Sequence, residues 1–251
     1  MKRILLFLSA LFIATTAIAH TINWYVDGNI FHTTTCESGE NVTPPTAPEK
    51  YGYTFQGWDA YTPIEYIEST GTQYIDTLIH TFNYIGIETK FQMMNTGDKI
   101  WFGTADSYLM WNITTSGTTY IRYGSTSYKS VSYNTGQTSK ALIFLYSPYT
   151  LKIESGSMAP RIYVDNVLIG RLASSGDFSS STETVRINYL RTAPSARWYS
   201  FKILDNNGSV LFDGKPAIGT NGIAGMYDLV THKMFYSATE DNFIAGPIVG
   251  E

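Results

Sequence analysis

The chain has 251 residues and a formal net charge of −4, with aromatic and charged residues each making up 15% of it. A charge balance with no basic footprint argues against nucleic acid as a partner. Cys36 is the only cysteine, so no intramolecular disulfide can form, and one Cys with four scattered His offers no zinc-site spacing. The length suits one large domain plus a small module, and a domain of about 150–200 residues buries roughly 70% of its unfolded surface without staples. With 19 Tyr and 13 Phe, the composition favours β-sheet, where aromatic and β-branched side chains fit the pleated surface.

The first nineteen residues read as a signal peptide. Lys2 and Arg3 precede the apolar stretch Ile4–Ile18, and Ala17-Ile18-Ala19 forms an A-x-A cleavage site before His20. The stretch is shorter than the roughly 20 residues a spanning helix needs. The expected mature chain is therefore secreted or extracytoplasmic, associated with the cell surface, and not membrane-spanning.

Residues 20–60 read as a small β module. Ile22, Trp24 and Val26 alternate with polar neighbours, Asp27-Gly28-Asn29 supplies a turn, and Ile30–Thr35 returns. Pro44, Pro45 and Pro48 then interrupt pairing before Tyr53–Trp58. The V-D-G hairpin, G-E-x-V, P-x-x-P and the closing G-Y-T-F-x-G-W are similar to the Listeria–Bacteroides repeat, the β-grasp-like repeat of internalin-type surface proteins. The match is partial, because Tyr61 already opens the next domain. About 40 residues without disulfide or metal are marginal alone. Trp24, Phe55 and Trp58 are therefore expected to pack with one another and against the neighbouring domain. Cys36 reads as a small buried side chain, with intermolecular pairing as the alternative.

From residue 61 to 251 short runs of high β-propensity recur between Gly, Asn and Ser, the pattern of a sandwich. They include Thr72–Thr77, Ile85–Met93, Ile100–Phe102, Ser107–Ile113, Thr118–Tyr123, Ala141–Tyr146, Thr150–Glu154, Glu183–Leu190, Arg197–Leu204 and Val210–Phe212. Arg161–Leu172 is a hairpin about Asp165-Asn166, where Asn accepts a left-handed conformation. The opening YTPIEYIESTGTQYIDT and the closing GIAGMYDLVTHKMFYSATEDNFIAGP, with F-K-I-L-D-N-N-G-x-V-L-F-D between, resemble secreted bacterial and phage-type laminin-G-like domains. The resemblance implies an all-β, concanavalin A-like β-sandwich (jelly roll).

That fold hosts glucanases as well as lectins. A retaining glycosidase needs two carboxylates about 5 Å apart, and the E-x-D-x-x-E strand pattern is absent. Glu65 and Glu68 fall on opposite faces of an ideal strand, and Glu240 and Asp241 are adjacent. No G-x-S-x-G exists, and His20, His32, His80 and His232 lack a nucleophile partner. No catalytic residue is therefore assigned. The family resemblance implies calcium as the cofactor to consider, with Asp76, Asp98, Asp106 and Asp177 as ligands. No D-x-[DN]-x-[DN]-G loop supports a metal site, and each Asp also reads as a turn residue.

A glycan ligand needs aromatic surface. Strand alternation puts Tyr199, Phe201 and Ile203 on one face and Trp198 on the polar face with Ser200 and Lys202. In Lys99–Gly103, Trp101 likewise opposes Ile100 and Phe102, whereas Trp111 shares a face with Leu109 and Ile113 and reads as core. Trp101 and Trp198 are the candidate ligand-binding residues, with burial the favoured reading for each. The expected function is non-catalytic binding of a glycan or a surface protein. A glycoside hydrolase or lyase, or a structural assembly protein, are the alternatives, and oligomeric state stays open.

Overall fold

The computed structural model describes residues 19–26, 29–37, 40, 42–52, 55, 58, 61–95, 99–106, 108–113, 119–124, 127–131, 147–156, 160–172, 177–188 and 195–249. The expected signal peptide up to residue 18, the Asp27-Gly28 turn pair, Asp98 and the expected strand Ala141–Tyr146 lie outside them. The chain divides into two compact units, Met1–Asp59 and Ala60–Glu251.

The first unit contains one antiparallel hairpin, β1 (Ala19–Val26) with β2 (Asn29–Glu37). Trp58 packs edge-on against Trp24 and Phe55, each at 5.1 Å between centroids, and lies 6.0 Å from Phe31. Its indole N–H donates to Pro45 O at 3.2 Å, which draws the proline-rich segment onto the rings. Cys36 is half-buried.

The second unit is an antiparallel sandwich of two sheets. The smaller sheet has six strands in the order β10 (Ser127–Val131), β9 (Thr119–Tyr123), β8 (Leu109–Ile113), β7 (Lys99–Gly103), β14 (Thr184–Ile187) and β5 (Ile75–His80). The larger sheet has eleven. Its main path runs β13 (Val167–Arg171), β12 (Arg161–Val164), β11 (Tyr149–Ile153), β6 (Gly86–Met93), β15 (Ser195–Leu204), β16 (Val210–Gly219), β17 (Ala224–Asp228) and β18 (Lys233–Phe235). β3 (Tyr61–Pro63) adds to β16, β4 (Ile67–Thr70) to β15, and β19 (Ile244–Ala245) to β4.

Inward side chains of the two sheets form one apolar core. Phe91 of β6 meets Trp101 of β7 at 5.4 Å, and Phe102 of β7 meets Phe201 of β15 edge-on at 5.5 Å. The expected hairpin turns at Asp165 (φ 47°) and Asn166 (φ 64°), two consecutive left-handed residues matching the twist of the flanking strands.

The two recognisable ends of the domain are joined in space. Beyond the β4–β19 pairing, Glu65 N–H donates to Pro247 O, Gly246 N–H to Tyr66 O and Val249 N–H to Pro63 O. Gln73 sits almost fully buried between them: its amide donates to Asn242 O at 3.0 Å and its oxygen accepts from the Thr70 N–H at 3.0 Å. Asn188 completes this network, donating to Ser69 Oγ and to Gln73 O, each at 2.6 Å.

Candidate functional site

Trp101 and Trp198 are both 0% exposed, so neither offers a surface to a ligand. One physical cause corrects both expectations. In β15, Trp198 stands opposite Phe91 and Ser200 opposite Lys90, which leaves Tyr199 as an extra residue. In β7, Ile100 stands opposite Asn112 and Phe102 opposite Trp111, which leaves Trp101 extra. Each is a β-bulge, and a bulge resets the inside–outside alternation that strand parity assumes. Trp198 and Phe201, three residues apart, therefore both face the core, and so do the adjacent Trp101 and Phe102. The β15 bulge falls where its outer partner changes, from β4 over Ser195–Trp198 to β16 over Phe201–Leu204. Trp111 is core, as its alternation implies.

The same bulge delivers Tyr199 to the outer face of the larger sheet, where sequence parity had placed it in the core. Its ring, half-buried, meets Tyr66 edge-on at 5.6 Å, and its hydroxyl donates to Gln92 Oε1 at 3.1 Å. Tyr66 is clamped in turn. The Arg197 guanidinium lies over its ring at 4.5 Å, and a Cβ added at Gly246 would come within 3.0 Å of two ring carbons. Arg197 is fixed from its other side by Glu68, Nε to Oε2 at 2.7 Å. The Glu68 hydrogen bond raises the Arg197 pKa, and burial pushes the Tyr199 phenol up, so these groups stay cationic and neutral across the physiological range. Tyr66 and Tyr199 are both half-buried, and of the two it is Tyr66 that Arg197 covers. Lys90, exposed, places its ammonium 5.4 Å from the Tyr199 centroid.

Register extends this face sideways. Tyr163, Lys152, Glu88, Lys202 and Asp213 stand in one row across β12, β11, β6, β15 and β16. Charges alternate along it: Lys152 bonds Glu88 at 2.6 Å, and Asp213 holds both Lys202 (3.3 Å) and Lys215 (2.9 Å). One residue pair further along, Lys90 lies between Thr150 and Ser200. A cavity of about 140 Å³ opens here, lined by Glu88, Thr150, Lys152, Tyr163 and Asn166.

Three of the four aspartates considered for calcium, Asp76, Asp106 and Asp177, have structural partners. Asp76 pairs with Arg186 at 3.5 Å and accepts the Leu78 N–H. Asp106 accepts from Thr104 Oγ1, Tyr108 N and Ser181 Oγ, and Asp177 caps the Ser179 N–H. Among the described residues no three His, Cys, Asp or Glu side chains gather as a metal site would require. Of the outer-face carboxylates, Glu68, Glu88 and Asp213 are each held by a cation, while Glu65 is exposed and its charge acts on the Tyr199 phenol.

The chain matches no protein-family model and no curated protein. Solved structures are similar to it at low identity. A Bacteroides ovatus protein titled "putative carbohydrate binding protein" is 11% identical with a TM-score of 0.51, the match covering 87% of this chain and 68% of that one. A native heptameric SAP-like pentraxin from Limulus polyphemus is 13% identical with a TM-score of 0.45, over 76% of this chain and 96% of that one. The second unit is a concanavalin A-like β-sandwich.

Proposed function

We propose that this is a secreted, non-catalytic carbohydrate-binding protein whose ligand lies against Tyr199 on the outer face of the larger sheet. The observation that carries the reading is the Tyr199 ring itself, held edge-on by Tyr66 and through its hydroxyl by Gln92. A sugar presents an apolar C–H face and a rim of hydroxyls, and a rigid aromatic surface with amide and charged groups beside it complements both. Placement on paired strands pre-organises the surface. The shared fold with a protein named for carbohydrate binding supports the reading. The cation pairing of Glu68, Glu88 and Asp213 supports the non-catalytic part, because it ties up these carboxyls where a glycosidase needs one free to deliver a proton. Residues 20–60 serve as a spacer or docking element in this reading, in keeping with their similarity to a surface-protein repeat.

The test is a glycan array with protein exported from cells expressing the whole chain, run with and without EDTA. Tyr199→Ala should weaken glycan binding about fivefold to tenfold, the scale of one lost aromatic contact, while the melting curve stays two-state. Binding that is indifferent to Tyr199→Ala would remove the assignment. Silence across the array would transfer the face to a protein partner. Mass spectrometry of the exported protein should show His20 at its N-terminus, and retention of residues 1–19 would contradict the secreted form.

A further inference from the structure

We infer that the glycan bound at this face is acidic, carrying a carboxylate or sulfate that Lys90 receives. The inference rests on the carbohydrate-binding reading above and specifies its ligand class. Strands β6, β11, β15 and β16 carry five cations, Lys90, Lys152, Arg197, Lys202 and Lys215, against two carboxylates, Glu88 and Asp213. Glu68 of β4 is the third carboxylate at this face, and Glu65, whose charge acts on the Tyr199 phenol, is the fourth. One positive charge is therefore left over locally in a chain whose net charge is −4.

The excess has a definite place. Lys152 and Arg197 each have their own carboxylate, while Lys202 and Lys215 share Asp213. Lys90 has none among the described residues. Its row neighbours Thr150 and Ser200 are uncharged, and its ammonium rests over the Tyr199 ring. A cation over a ring is a weak contact at an exposed site, which a direct ion pair with a ligand readily replaces. The ring and the ammonium together match the two halves of an acidic sugar. The C–H face lies on Tyr199, and the anion meets Lys90 once its stem swings off the ring.

The face also has length. Tyr199 on β15 and Tyr163 on β12 are separated by three inter-strand steps, about 14 Å. The cavity beside Tyr163 lies between Lys90 and the edge of the sheet. An oligosaccharide crossing the strands therefore passes Lys90 and continues over Thr150 to Tyr163.

The experiment compares uronic-acid oligosaccharides with their methyl esters, and sulfated oligosaccharides with their desulfated forms, with polyglutamate as a sugar-free polyanion. The acidic forms should bind about fivefold to tenfold tighter than their neutral counterparts, and added salt should erase the difference, as expected for one partly screened ion pair. Lys90→Gln should remove the same factor for the acids and leave the neutral sugars unchanged. Tyr199→Ala should weaken both. Equal binding of acids and esters, indifference of the acids to Lys90→Gln, or binding of polyglutamate as tight as that of the acidic sugars would each overturn the inference. In the first two cases, retained sensitivity to Tyr199→Ala leaves the carbohydrate-binding reading standing. Binding of no sugar, acidic or neutral, would remove both.

Discussion

Asn188→Ala is expected to destabilise the sandwich by about 4 kcal/mol, although the side chain is small and far from the proposed ligand face. Asn188 is 0% exposed and has a φ of 61°. Its amide donates to Ser69 Oγ and Gln73 O at 2.6 Å, and its oxygen lies 3.4 Å from the Trp198 indole nitrogen. Its backbone N–H donates to Trp101 O at 2.8 Å, continuing the β14–β7 ladder. Alanine would leave Gln73 O without this donor and the Trp198 N–H without an acceptor, at about 1–3 kcal/mol for each buried orphan. It must also adopt the left-handed conformation, which costs about 1 kcal/mol more than for Asn. For a domain of this size the melting temperature should fall by about 8–16 °C. Urea denaturation followed by tryptophan fluorescence measures the loss directly. Asn188→Gly should recover about 1 kcal/mol of it, because only the backbone term is relieved. A loss below about 1 kcal/mol for the alanine variant would show that this network does not hold the two ends of the domain together.

Gly103→Ala should cost at least about 2 kcal/mol, since φ is +155° and a Cβ would come within 2.1 Å of Leu109 O; an unchanged urea midpoint would refute that. Trp198→Ala should lose about 3–5 kcal/mol as a core cavity, so any fall in glycan binding must follow the unfolded fraction. A stable Trp198→Ala variant with selectively lost binding would overturn its placement in the core. Burial raises the Tyr123 and Tyr149 phenols well above the ordinary value of 10.0. The unfolded phenols therefore ionise first, and the stability these two confer is intact below pH 10 and declines above it. The decline is up to about 1.4 kcal/mol per pH unit for each ring. Denaturation midpoints that stay flat through alkaline pH would contradict the burial of both rings.

Much of the scaffold is legible in the residues. Period-two runs located β6, β8, β9 and β11 closely, and Asp165-Asn166 marked a hairpin whose turn is left-handed at both positions. These features depend on neighbours along the chain, so a local pattern carries them. β10 (SYKSV) and the two-residue β19 lack a pattern of their own. β19 is a strand because β4 offers it an edge, and β16 continues past Phe212 to Gly219 because β17 and β3 pair with its second half.

The ligand face was the least legible part, and the reason is specific. Trp101 and Trp198 were assigned to the surface by strand parity, and Tyr199 to the core by the same parity. A bulge in each strand reversed the assignments. Nothing in RWYSFKI shows that Tyr199 is the residue left unpaired. That depends on β15 exchanging β4 for β16 at this point while keeping β6 along its other edge. A signal did exist in composition: Tyr199, Lys90 and Lys152 occupy half-polar strand positions and Tyr66 immediately precedes β4, but their convergence requires register across four strands.

The amino-acid sequence by itself determined that the second unit is all-β, built from short strands between turn residues, and that no catalytic motif stands out. Alternation, turn residues and motif spacing are properties of a chain read in one dimension. Only the tertiary structure decided which aromatic ring faces outward and which cation lacks a counter-charge. Both depend on which residue of one strand stands opposite which residue of another, and hydrogen-bond register between distant segments sets that pairing.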